Sequence, residues 1–135
     1  MSAGYTVMRA AEAPDYTGEA PGAFLGYARP MGSTQLGVNV RVLAPHSEHK
    51  PPGSPDGFGH SHRTIEELYF VLEGELAMKL GDDVLTLGPR DAVLIPAGTP
   101  RAVRNESDAE AAFLLCSVKT EDPRAESVQH EAFWL

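Results

Sequence analysis

The chain has 135 residues, enough for one domain with a real core. Its composition, 42% hydrophobic and 22% charged, argues against disorder. Nineteen acidic residues against eleven basic ones give a formal charge of −8 with no Lys/Arg cluster, so no nucleic-acid partner and no anionic membrane surface is expected.

The N-terminal stretch MSAGYTVMRAAEAP has no apolar h-region, so a secretory signal is not expected. No apolar run approaches the roughly 20 residues of a membrane-crossing helix. With the acidic balance, this makes a cytoplasmic protein the expectation. Residues 1–22 read as a loose arm, 23–118 as the body of the domain and 119–135 as a charged C-terminal tail packed on it. Within the body, Ala23–Tyr27 is a candidate first strand. Leu36–Leu43 is a better one, because Leu36, Val38, Val40 and Val42 alternate with Gly37, Asn39 and Arg41. Pro45–Gly59 holds four prolines, three glycines, His46 and His49. Proline lacks the donor and glycine the stiffness for a regular ladder, so a long loop is expected there.

Strands are predicted at Glu67–Leu72, Leu76–Leu80, Val84–Leu87, Ala92–Ile95, Arg101–Asn105 and Ala111–Val118. Gly74, Gly81-Asp82-Asp83, Gly88-Pro89-Arg90-Asp91 and Pro96-Ala97-Gly98-Thr99-Pro100 mark the turns between them. Short strands with turn-marked spacing and no helical periodicity suggest an all-β, antiparallel sandwich or barrel. The lone cysteine, Cys116, lies in the apolar run Phe113–Val118 and reads as a buried, inert thiol. The tail ends Phe133-Trp134-Leu135, which suggests docking onto an apolar groove, while His130 is expected to face solvent. In Glu67–Leu72 both faces are largely apolar: Glu67, Tyr69 and Val71 on one, Leu68, Phe70 and Leu72 on the other. A sheet with one solvated face would alternate. The outer face is therefore expected to be covered by the arm, the tail or a second subunit, and a homodimer is the expectation.

His60-Ser61-His62 sets two imidazoles at i and i+2, on one side of a strand. Glu67 follows five residues later on the face it shares with Tyr69 and Val71. Where that face is the barrel interior, two imidazoles and a carboxylate converge. Such a set suits a divalent metal: Fe, Mn, Zn or Ni.

The stretch GHSHRTIEELYFVLEGE (59–75) resembles the first cupin motif, matched at His60, His62, Glu67 and Gly74. The stretch GPRDAVLIPAGTPRAVRN (88–105) resembles the second, matched at Gly88, Pro96, Gly98 and Asn105. The two span residues 57–105, about a third of the chain. The resemblance implies a single-domain jelly-roll barrel, a double-stranded antiparallel β-helix, with metal ligands His60, His62 and Glu67. It breaks where the family supplies a further histidine, because Arg101 stands there, and Ser54 replaces the leading glycine. A guanidinium stays protonated and cannot coordinate a metal.

Three readings of Arg101 stay open. Three ligands hold the metal while Arg101 holds an anionic substrate bidentately. Alternatively the metal is lost and Arg101 pairs with Glu67. In the third, His46 or His49 swings in from the loop. Tyr69, beside Glu67, can turn its hydroxyl to the pocket, so Arg101 and Tyr69 are the candidate substrate contacts. Glu66 reads as a solvated charge, Asp91 as a turn former, and Arg104, three residues from Arg101, as outward-facing. The implied function is metal-dependent oxygenase, isomerase or decarboxylase chemistry on a small acidic or oxygen-rich metabolite. The alternative is a ligand-binding barrel with a degenerate metal site.

Overall fold

Glycine and proline turns cut this chain into short strands, and a computed structural model describes residues 4–18 and 20–135. Residues 1–3 and Glu19, which fall in the expected N-terminal arm, lie outside the described residues. The strands are β1 (Ala23–Gly26), β2 (Leu36–Leu43), β3 (Ser47–Glu48), β4 (Gly59–His62), β5 (Glu67–Glu73), β6 (Leu76–Leu80), β7 (Asp83–Leu87), β8 (Ala92–Ile95), β9 (Arg101–Asn105), β10 (Ala111–Val118) and β11 (Ser127–His130). Helix among the described residues is confined to a 3-10 turn at Ala10–Glu12 and the single turn α1 (Pro123–Glu126). None is long and apolar enough to cross a membrane.

Two antiparallel sheets face each other. One runs β1-β2-β10-β5-β8 and the other β11-β4-β9-β6-β7, with β3 paired to β9. The strand pairings among the described residues are antiparallel, as expected for a jelly roll closed from two sheets. Gly74 turns β5 into β6 at φ 74°, with room for no side chain. A Cβ there would lie 2.8 Å from that of Ala111.

The core lies between the sheets. Leu43, Tyr69, Val71, Leu76, Met78 and Phe113 have no exposed surface. In β2 the alternation identifies the strand but not its inner face. Arg41 and Leu43 turn into the barrel, opposite Phe113 and Ala111, and Val38, Val40 and Val42 turn out. The outer face of this sheet is apolar across four strands: Val38 and Val40 beside Cys116 and Leu114, which neighbour Leu68 and Phe70, which neighbour Leu94 and Ala92. Leu94 is 57% exposed and Leu72 44%.

Three expectations are corrected, the first being Cys116, which is not buried in the core but half-buried on this outer face, because its parity is opposite to that of Phe113 and Leu115. The segment 45–59 does hold a ladder: Ser47 and Glu48 pair with Asn105 and Arg104, because its prolines lie outside that two-residue strand. His130 is not solvent-facing but half-buried, since β11 pairs along β4 and brings its Nε2 2.9 Å from Ser61 Oγ. The tail thus packs on the second sheet and leaves the apolar outer face of the first uncovered. Phe133 and Trp134 do dock, but against cations: Lys79 Nζ lies 4.4 Å from the Phe133 ring centre and Arg104 4.0 Å from that of Trp134.

Candidate metal and ligand site

Strand parity and register bring the site together. In β4, Ser61 is buried on the outer side and His60 and His62 point the other way, into the barrel. His60 pairs with Arg101 across β4 and β9, which sets the guanidinium on the same side. Glu67 opens β5 on the inner face, two residues before the fully buried Tyr69. His60, His62 and Glu67 each offer a ligand atom, and these atoms lie within 4.8 Å of one another. The predicted constellation is therefore assembled by geometry, with Tyr69 and Arg101 beside it.

Arg101 has no exposed surface. Its Nη1 donates to Glu67 Oε1 at 3.1 Å and its Nη2 to the Thr99 carbonyl at 3.1 Å. The same Glu67 oxygen lies 3.3 Å from His62 Nε2. Burial raises the Glu67 pKa, but the hydrogen bond and charge of His62, with the charges of Arg101 and His60, outweigh it and hold the carboxyl below its ordinary value. Burial, reinforced by His49 and Arg101, holds His60 down to about 3, so its imidazole is neutral near pH 7. Burial, and then the Glu67 charge, push the Tyr69 phenol well above its ordinary pKa.

This donor set fits a divalent first-row metal: a neutral imidazole from His60, a second imidazole from His62 and an ionised carboxylate. His62 Nδ1, Tyr69 Oη and Arg101 Nε are buried without a hydrogen-bond partner among the described residues, so each is open to water or to a bound group.

The loop histidines separate. His46 is exposed, 2.6 Å from Asp108, and takes no part. His49 is inside the barrel, its backbone N–H bonded to the Val103 carbonyl at 2.9 Å. Its ring centre lies 6.4 Å from that of His60 and 5.4 Å from that of Phe113. It is held by β3 and is not a swinging ligand; burial, with the Arg41 charge, lowers its pKa to about 3. Its position followed from the β3 ladder, which the surrounding prolines and glycines concealed. Arg41 was also missed as an interior charge. Its Nη1 donates to the carbonyls of Ala23 and Val42. Arg104 faces outward as expected, 3.2 Å from Glu48.

A cavity of about 260 Å³ opens onto His62 and Glu67, with Phe24, Asn39 and Ser117 also in its lining.

The sequence model described as Cupin domain matches residues 46–118. An uncharacterized protein of Methanocaldococcus jannaschii is 34% identical over 58 residues, covering 43% of this chain and 46% of that protein. A crystal structure of a sugar phosphate isomerase from a cupin superfamily, from Silicibacter pomeroyi, is 27% identical, with a TM-score of 0.64, covering 73% of this chain and 60% of that one. A Thermus thermophilus protein is 26% identical, with a TM-score of 0.64, covering 84% of this chain and 96% of that one. The chain spans about half the length of the first of these relatives and 60% of the second.

Proposed function

The chain belongs to the cupin family, and from that premise we propose that it holds a divalent metal on His60, His62 and Glu67 and binds a small acidic or oxygen-rich metabolite beside it. The observation that carries this reading is the convergence of three donor groups on one point inside the barrel. Bound there, a dication would supply Lewis-acid polarisation of substrate oxygens, or redox chemistry in the case of iron.

The chain's own residues do the rest. Arg101 offers a buried guanidinium to a carboxylate or other oxyanion, and the unpartnered Tyr69 hydroxyl offers a hydrogen bond to a neighbouring oxygen. A guanidinium and a dication repel at close range, so an anion between them favours both. Isomerisation is the chemistry we favour, because the 27%-identical Silicibacter pomeroyi structure is described as a sugar phosphate isomerase. A second reading, ligand binding without metal, is favoured by one observation: the 3.1 Å Arg101–Glu67 pair already neutralises the carboxylate.

Metal analysis of the purified chain beside Glu67→Ala separates them. The first reading expects about one dication per chain, lost in the variant. Metal-free protein that takes up no zinc, manganese, nickel or ferrous ion on titration supports the second. We extend the proposal to a homodimer formed through the apolar outer face of the β1-β2-β10-β5-β8 sheet, which the tail leaves open.

A further inference from the structure

We propose that Arg29 and Lys119 form an anion site at the mouth of the barrel, gripping the phosphate or carboxylate tail of a ligand whose other end lies at His62 and Glu67. The ligand's placement rests on the function proposed above; the anion site rests on the following observations.

His62, Glu67, Arg29 and Lys119 share the lining of one cavity of about 260 Å³. That is near the low end of the roughly 300–1,000 Å³ typical of ligand pockets, and suits a molecule of sugar-phosphate size. The cations are held, not loose. Arg29 Nη2 donates to the Thr120 carbonyl at 2.8 Å, and Lys119 Nζ reaches back to the Ser33 carbonyl at 3.0 Å. This reciprocal clasp fastens the 29–33 turn to the segment after β10, and a backbone bond from Lys119 to Gln35 at 2.8 Å reinforces it. Both charges are thereby fixed at one rim.

Both are also uncompensated. Their hydrogen bonds go to neutral carbonyls, and no carboxylate among the described residues forms an ion pair with either. In this they resemble Arg41, Arg63 and Lys79, which also donate to carbonyls, and differ from Lys50, Arg101 and Arg104, which each face a carboxylate within 4 Å. Of the two carboxylates in the cavity lining, one is neutralised by a cation and the other is held but keeps its charge. Glu67 is paired with Arg101, and Glu126 accepts from the Thr64 backbone and hydroxyl and from Ile65. Two held cations against the one unpaired carboxylate, Glu126, leave the lining with an excess of one positive charge in a chain with a formal charge of −8. Guanidinium suits a forked oxyanion and ammonium a point contact.

Calorimetric titration of the full zinc-treated chain tests this with matched probes: ribose 5-phosphate against ribose, gluconate against sorbitol, and inorganic phosphate alone. At least one anionic probe should bind tenfold or more tightly than its neutral parent. Arg29→Gln/Lys119→Gln should abolish that preference with zinc affinity unchanged. The charge-conserving Arg29→Lys/Lys119→Arg should retain it, which separates lost charge from lost structure. The arm that responds tells phosphate from carboxylate. No preference in the unaltered chain, or a preference that survives the double glutamine variant, overturns the site. Zinc binding insensitive to Glu67→Ala would instead remove the metal reading and leave this one standing.

Discussion

Replacing Arg101 by methionine keeps an apolar stem and removes the guanidinium, with its charge and its hydrogen bond to the Thr99 carbonyl. In the folded chain the Arg101 guanidinium stands 3.1 Å from Glu67 Oε1, with no exposed surface on the arginine and 11% on the glutamate side chain. At that separation and an effective dielectric constant of about 20, the gross attraction is about 5 kcal/mol. Removing one partner of a buried pair strands the other, and such changes cost about 3–5 kcal/mol. For a domain of this size that lowers the melting temperature by about 10–20 °C. Thermal melts in chelator, followed by circular dichroism, should show this loss. Adding zinc should then stabilise Arg101→Met more than the unaltered chain, because the metal gives Glu67 the positive neighbour it lost, by ordinary mass action. Arg101→Met/Glu67→Gln should recover most of the loss without metal. A loss under about 1 kcal/mol in chelator, or equal zinc stabilisation of both proteins, would refute the reasoning.

Three further outcomes follow from the structure. His49 and His60, both with folded pKa values of about 3, favour the neutral form in the folded state. The unfolded chain therefore binds protons that the fold does not below the ordinary histidine value of about 6.5, and the stability present above that pH is lost as pH falls toward 3. Between pH 8 and pH 5 the chelated protein should lose about 2 kcal/mol for each histidine, and urea melts of His49→Phe should show about half the combined loss. Leu94→Asp, on the exposed outer face, should convert a dimer into a monomer at micromolar concentration in sedimentation velocity; a dimer in both proteins would place the interface elsewhere. Trp134→Ala removes the ring under Arg104 and should lower stability by about 1 kcal/mol, read as a fall in the urea midpoint.

The strands and the cluster were legible because they depend on local signals. β2, β6, β8, β9 and β10 match their predicted bounds, since each is a short segment of apolar or alternating residues delimited by turn residues. His60 and His62 share a side because strand geometry has period two, and Glu67 joins them through the parity it shares with Tyr69. What depends on pairing partners was not legible. Nothing near Ser127–His130 announces a strand, and it becomes one because β4 presents an open edge. The inward turn of Arg41 inverts the ordinary rule that the apolar side of a strand is the buried one. The two mouth cations lie 90 residues apart in sequence, so only the fold brings Arg29 to Lys119.

The placement of β11 sets an order of events for a growing chain. Strand β4, which carries both imidazoles, meets β9 only through His60 and Arg101, whereas Ser127, Val128, Gln129 and His130 pair with its whole length. A nascent chain that has not yet reached residue 130 lacks those four pairings and holds β4 through the His60–Arg101 pair and the Gly98 N–H bond to the His62 carbonyl at 2.7 Å. On the metal reading proposed above, capture at His60 and His62 is expected to strengthen once translation has passed β11. Stalling or proteolysis before residue 127 would release a product with an ordinary β-rich spectrum and a poorly formed site.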